Sequence, residues 1–145
     1  MANKSKAKGT KYETSVTNYF NEWCGEKVCE RVVLHGNRDH GDLRLYVADL
    51  VLAVECKWRE KYPNDAEESD FRKQTITETE NAKTDGGILV MNRYRNGIER
   101  HEVWTTDFVI AKLYGDDTFD GCGLWLCMRL KDFCRLCFGP QATLE

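Results

Sequence analysis

The stretch LVLAVECKWRE, residues 50–60, decides how this chain is read. Leu50-Val51-Leu52-Ala53-Val54 is an unbroken aliphatic run, the pattern of a strand covered on both faces. Glu55 and Lys57 follow one residue apart, and charges are rarely buried without a partner or a purpose. In a strand, side chains at i and i+2 share a face. Glu55 and Lys57 therefore point one way, and Val54 and Cys56 the other. A carboxylate and an ammonium fixed on one rigid surface form a platform for charged chemistry, although a plain salt bridge near a strand end has the same pattern.

The residues just upstream change that balance. Asp42–Val47 (DLRLYV) reads as a second strand, joined to Leu50–Lys57 by a short Ala48-Asp49 turn. Asp42 lies about six or seven residues before the turn and Glu55 about as many after it, so a hairpin brings the two acids to one end of the sheet. Two hard carboxylates converging there suit an octahedral, oxygen-binding cation such as Mg²⁺, with Mn²⁺ as a substitute. Asp42, Glu55 and the backbone carbonyl of Cys56 are the expected protein ligands. Such a centre suits phosphodiester hydrolysis, in which Lys57 would orient the attacking water or steady the developing charge.

Further out, Tyr12, Val16, Tyr19, Phe20 and Trp23 recur at helical spacing, which predicts an amphipathic helix over Tyr12–Trp23, stopped by Gly25. Lys27–Leu34 alternates like a strand, and HGNRDHG (35–41) reads as a loop. After a polar loop over 58–65, Ala66–Lys83 is expected to form a mostly polar helix with Phe71, Thr75, Thr79 and Ala82 along one side, ended by Gly86-Gly87. Ile88–Asn92 reads as a buried strand, and Asn96-Gly97 as the turn of a hairpin leading into Ile98–Trp104. TTDFVIAKLYG (105–115) suggests a short helix, LWLCMRL (124–130) a strand, and KDFCRLC (131–137) a last helix. The fold expected is α/β: a mixed sheet flanked by helices with an αβββαβ core, and a small strand–helix extension over 105–145.

At 145 residues, 41% hydrophobic and 31% charged, the chain is read as a single globular domain over 1–145. No apolar run approaches the about 20 residues needed to span a bilayer, and the lysine-rich start MANKSKAKGTK lacks a signal-peptide pattern. The expected address is the cytoplasm. Seven cysteines, an odd number, suit a reducing compartment. Cys122, Cys127, Cys134 and Cys137 are spaced poorly for zinc, and Cys134 and Cys137 fall among Phe133, Leu136 and Phe138 as core-facing thiols. The net charge is −3, yet residues 1–12 carry Lys4, Lys6, Lys8 and Lys11 and no acid. Residues 1–10 are read as a flexible basic arm able to meet phosphates.

Gly41-Asp42, then Glu55-Cys56-Lys57 after a hairpin, with Glu13 on the preceding helix, resembles the PD-(D/E)xK nuclease superfamily. Within it, the chain looks like archaeal-type Holliday junction resolvases and their phage relatives. KGTKYE, RVVLHGNRDHGD, AVECK and GGILVMNR carry the likeness, over roughly residues 8–95. No proline precedes Asp42, a departure this superfamily tolerates. The resemblance implies a restriction-endonuclease-like fold, Mg²⁺-dependent endonuclease activity on DNA, branched DNA as substrate, and a homodimer. Phe108, Trp125, Leu126 and Phe133 are candidate interface residues, though a core explains them equally well.

The resemblance also gives Glu13 a role as an additional acid at the site. Its place beside Phe20, at the border of the apolar stripe, allows this, but Thr10-x-x-Glu13 is also a capping box. Gln74 matches a glutamine that relatives place near the water or metal. Arg38, in the loop entering the site, is the preferred phosphate contact, because guanidinium grips phosphate bidentately. His35 and His40 share that loop. Lys8, Lys11 and Arg59 extend the expected DNA contacts. Two alternatives stay open: a general repair or recombination nuclease acting on flaps or single strands, and a nuclease-like DNA-binding module without activity.

Overall fold

The computed structural model describes residues 4–32, 42–61, 63–92 and 97–142, with the backbone alone for residues 4–7. Its first helix, α1, runs Lys4–Cys24 and buries Tyr12, Val16, Phe20 and Trp23 at the expected spacing. Residues 4–10 therefore continue the helix instead of forming a flexible arm, because no helix breaker other than Gly9 precedes the stripe. Gly25, with φ +68°, ends it. Strand β1 is short, Cys29–Arg31. Asn21 on α1 fixes its entry: the side-chain oxygen accepts from the N–H groups of Val28 and Cys29, and Nδ2 donates to the Cys29 carbonyl.

The decisive hairpin forms as expected. β2 (Leu43–Val47) and β3 (Leu50–Lys57) pair antiparallel with Leu43 opposite Val54 and Val47 opposite Leu50. Ala48 takes the left-handed conformation at the turn, φ 51°. Helix α2 (Asp65–Ala82) follows, capped by Asn64, whose side chain accepts from the Glu67 N–H. Lys83, left-handed at φ 56°, closes the helix.

Gly86-Gly87, expected to stop α2, instead opens β4 (Gly86–Met91), which runs parallel to β3 with Glu55 opposite Leu89. The reason is packing. A Cβ on Gly87 would stand 2.0 Å from Thr79 Oγ1 of α2, and one on Gly86 would stand 2.5 Å from Val109 Cγ2 on the other face. The two glycines let helices approach both faces of a central strand.

A 3-10 turn, Ile98–Arg100, replaces the start of the strand expected at Ile98. β5 (Glu102–Thr106) then pairs antiparallel with β4, α3 spans Asp107–Leu113, β6 (Trp125–Arg129) pairs antiparallel with β5, and α4 covers Leu130–Phe138. The Asn96 half of the expected Asn96-Gly97 turn lies outside the described residues. The six strands form one mixed sheet in sequential order, β1 to β6, and the first six elements give the expected αβββαβ core.

The two faces of the sheet differ in chemistry. The apolar core lies under α1, α3 and α4 and takes Leu43, Leu45, Val54, Cys56, Val90 and Phe133. Phe20 and Phe133 meet edge to face at 6.5 Å, so the segment after residue 105 packs into the same core. The opposite face, under α2, buries Thr75 and Glu78, and by strand alternation receives Arg44, Glu55 and Lys57. No helix among the described residues is long and apolar enough to cross a membrane.

Candidate active site

The site grows from the hairpin register. The β2–β3 ladder ends with Leu43 opposite Val54, and Asp42 follows at the open end of the hairpin, where its carboxyl comes within electrostatic range of Glu55. The Asp42 N–H donates to the Val54 carbonyl at 3.0 Å, and Asp42 Oδ2 accepts from the Cys56 N–H at 2.8 Å. The Cys56 backbone therefore lies against the Asp42 carboxyl through its N–H. The Cys56 thiol belongs to the apolar core, where burial pushes its pKa well up and keeps it protonated.

Burial, and then the charge of Glu55, raise the Asp42 carboxyl from its usual 3.8 to about 8; Glu13 adds to the rise, while Lys57 and the Cys56 N–H oppose it. Burial and like charge thus both disfavour the ionised form of Asp42. Glu55 is only 4% exposed, and its Oε2 is buried with no hydrogen-bond partner. Its other oxygen faces Lys57, whose Nζ lies 3.0 Å away.

Two neighbouring carboxyl groups, one whose pKa burial and like charge raise and one with an orphaned oxygen, fit a divalent cation. Asp42, Glu55 and the Cys56 carbonyl are the groups that would hold it. No group of three or more acidic, histidine or cysteine side chains suited to a metal occurs among the described residues, so a two-carboxylate site would leave the other positions to water and phosphate.

Glu13 stays within electrostatic range of Asp42, but its Oε2 accepts from Arg31 Nη2 at 2.6 Å. The capping-box alternative is removed, because Thr10 sits inside α1. Gln74 donates from Nε2 to Glu78 Oε1 at 3.0 Å, one turn along α2. Arg59 forms an exposed ion pair with Glu67, and Lys8 one with Glu60; Lys11 is exposed on α1. Arg38, His35 and His40 lie outside the described residues.

Three contributors escaped the sequence reading. Phe71, taken as a stripe residue of α2, lies under two cations, with Lys57 Nζ 5.2 Å and Arg59 Cζ 5.3 Å from its ring centre. Glu78, three residues after Thr75 on the inner side of α2, is 1% exposed, and its charge acts on Arg44 of β2. Asn92 bridges backbone to backbone: its Oδ1 accepts from the Arg59 N–H at 2.8 Å and its Nδ2 donates to the Arg59 carbonyl at 3.0 Å. It fixes where the chain goes after Lys57. A polar helix face turned inward was the available signal for Glu78; nothing local marked Asn92.

The profile of the family described as "Phage putative PDDEXK endonuclease" matches residues 4–115. Among solved structures, Archaeoglobus fulgidus Hjc, a Holliday junction resolvase from an archaeal hyperthermophile, is similar with a TM-score of 0.49 at 12% identity, over 87% of this chain and 99% of that one. No curated protein matches.

Proposed function

From the premise that this chain belongs to the phage PDDEXK endonuclease family and is a nuclease, we propose that it is a Mg²⁺-dependent DNA endonuclease acting on branched DNA as a homodimer in the cytoplasm. The observation that carries the reading is the meeting of Asp42 and Glu55 across the β2–β3 hairpin, with the Lys57 amine 3.0 Å from Glu55. Asp42 and Glu55, with the Cys56 carbonyl, would hold the cation. When bound, it would draw charge from the phosphoryl oxygens and acidify water.

The chain's own residues do the rest. Asp42, held by the Cys56 N–H, and Glu55, through its unpartnered oxygen, would face the cation. Lys57, 3.0 Å from the other Glu55 oxygen, would orient the nucleophile or steady the charge developing on the phosphate. Phe71 keeps the Lys57 amine close by. Glu13 is an auxiliary acid that Arg31 restrains, and Gln74 positions Glu78. Lys8, Lys11, Arg38 and Arg59 are proposed as backbone contacts, which position DNA without reading sequence.

Support for the homodimer comes from Phe108 and Leu126, both exposed, and half-buried Trp125; Phe133 is fully buried and belongs to the core. Cleavage of a four-way junction, a flapped duplex and a linear duplex in Mg²⁺, Mn²⁺ and EDTA tests the proposal. Activity confined to the divalent-cation reactions, highest on the junction and lost in Asp42→Asn and Glu55→Gln, is expected. Cleavage in EDTA, or cleavage that survives both substitutions, would overturn it.

A further inference from the structure

We infer that the groove between α1 and the end of β3 seats an unpaired nucleotide of the DNA strand. The inference rests on the nuclease reading above and narrows its substrate. The groove has a volume of about 300 Å³ and is lined by Lys8, Lys11, Tyr12, Ser15 and Trp58. Trp58 directly follows Lys57 and packs on Tyr12, so the groove lies on the α1 side of the sheet, at the end of the strand that carries Glu55 and Lys57 on its other face.

Its back wall is aromatic and rigid. The rings of Tyr12 and Trp58 meet at 5.4 Å and 60°, forming a corner. Tyr12 is anchored from behind: its hydroxyl shares a 2.8 Å hydrogen bond with buried His101 Nδ1, and the two rings lie 5.4 Å apart. The Trp58 indole Nε1 is buried and has no hydrogen-bond partner. The rim is cationic. Lys8 and Lys11 are exposed one turn apart on α1, and Lys11 makes no ion pair among the described residues. Lys8 is engaged with Glu60 in an exposed pair, which a phosphate can displace at little cost.

An aromatic wall with amines at its edge matches a nucleobase on the ring and its phosphate at the lysines, the arrangement used to hold single strands without sequence preference. The paired interior of a duplex cannot use it, because stacked neighbours cover both faces of every internal base. The nucleotide must come from a branch point, a flap or a single-stranded stretch. The groove thus selects DNA that carries an unpaired nucleotide.

The test is equilibrium binding of the full chain, in EDTA, to a labelled duplex and to the same duplex carrying a short single-stranded arm. Tighter binding of the armed DNA is expected, and Trp58→Ala lowers that preference by about tenfold, within the range for one base–aromatic stack. Trp58→Phe restores most of it. Because Trp58 packs on Tyr12, Ser15→Trp serves as the second variant: it fills the groove from α1, keeps the aromatic wall, and is expected to lose the same preference with a wild-type thermal melt. A wild-type ratio of armed to paired binding in both Trp58→Ala and Ser15→Trp overturns the groove assignment, while Asp42-dependent cleavage leaves the nuclease reading standing. Absence of DNA cleavage under all conditions overturns both.

Discussion

Replacing Asp42 with asparagine should make the cation-free chain more stable while removing its activity. The folded protein holds the Asp42 carboxyl near 8, against 3.8 for a free carboxyl. A raised folded value means that the native state binds this proton more tightly than the unfolded chain. The stabilisation is complete below 3.8 and is lost as pH rises through about 8. Each pH unit in that window costs about 1.4 kcal/mol, so a penalty of up to about 4 kcal/mol has built up by neutral pH. Asparagine has nothing to titrate, and its side-chain oxygen can still accept from the Cys56 N–H that Asp42 Oδ2 holds at 2.8 Å. It also brings a donor into a site where Glu55 Oε2 has none. Urea unfolding in EDTA at several pH values reads the difference directly. The variant should match the wild type near pH 4 and gain a few kcal/mol by pH 7, and saturating Mg²⁺ should reverse the order by stabilising only the wild type. A gain that does not change with pH, or a loss at pH 7, would refute the claim that Asp42 is held protonated by burial beside Glu55.

Further outcomes follow from other contacts. Lys57→Ala should cost about 3 kcal/mol in urea unfolding, because it leaves the buried Glu55 carboxylate without its partner. The same variant should slow cleavage by about 10²-fold or more at saturating Mg²⁺. Gly87→Ala should lower stability by about 1–3 kcal/mol by forcing Thr79 and α2 away from β4, a loss that Thr79→Ala in the same chain should partly recover. Asn92→Ala removes two hydrogen bonds to the Arg59 backbone and should cost about 1–3 kcal/mol, with faster amide exchange at Arg59.

Much of this was legible in the chain because local and long-range signals agreed over the hairpin. The strand bounds of Leu50–Lys57 follow from aliphatic residues that can only be buried, and the short turn leaves one register that keeps Leu43, Leu45 and Val54 in the core. That register brings Asp42 to Glu55 without any knowledge of the third dimension. The misreadings arose where a tertiary contact outweighed local preference. Gly86-Gly87 has the composition of a helix stop, yet it is required by two helices crossing a strand, and neither helix can be seen from within the dipeptide. Thr10-x-x-Glu13 has a capping pattern, but α1 had already begun at Lys4. Asn92 contacts Arg59 from 33 positions away, beyond the reach of any periodic signal.

The Glu55–Lys57 ion pair looks at first like the ordinary salt bridge that the sequence also allowed. Its surroundings argue otherwise. A structural pair satisfies its own charges, but here one oxygen of Glu55 remains buried and unbonded, and burial beside Glu55 raises the pKa of the neighbouring acid, Asp42. One ammonium is serving two carboxylates in a place that water barely reaches, and a third acid, Glu13, is within electrostatic range. On the same face α2 turns Glu78 inward, where its charge acts on Arg44 of β2. A fold selected for stability alone would gain by neutralising one of these acids, as the asparagine variant does. On the proposed reading, retaining them would be costly only without a cation, and the repulsion among these acids would become affinity for a divalent ion.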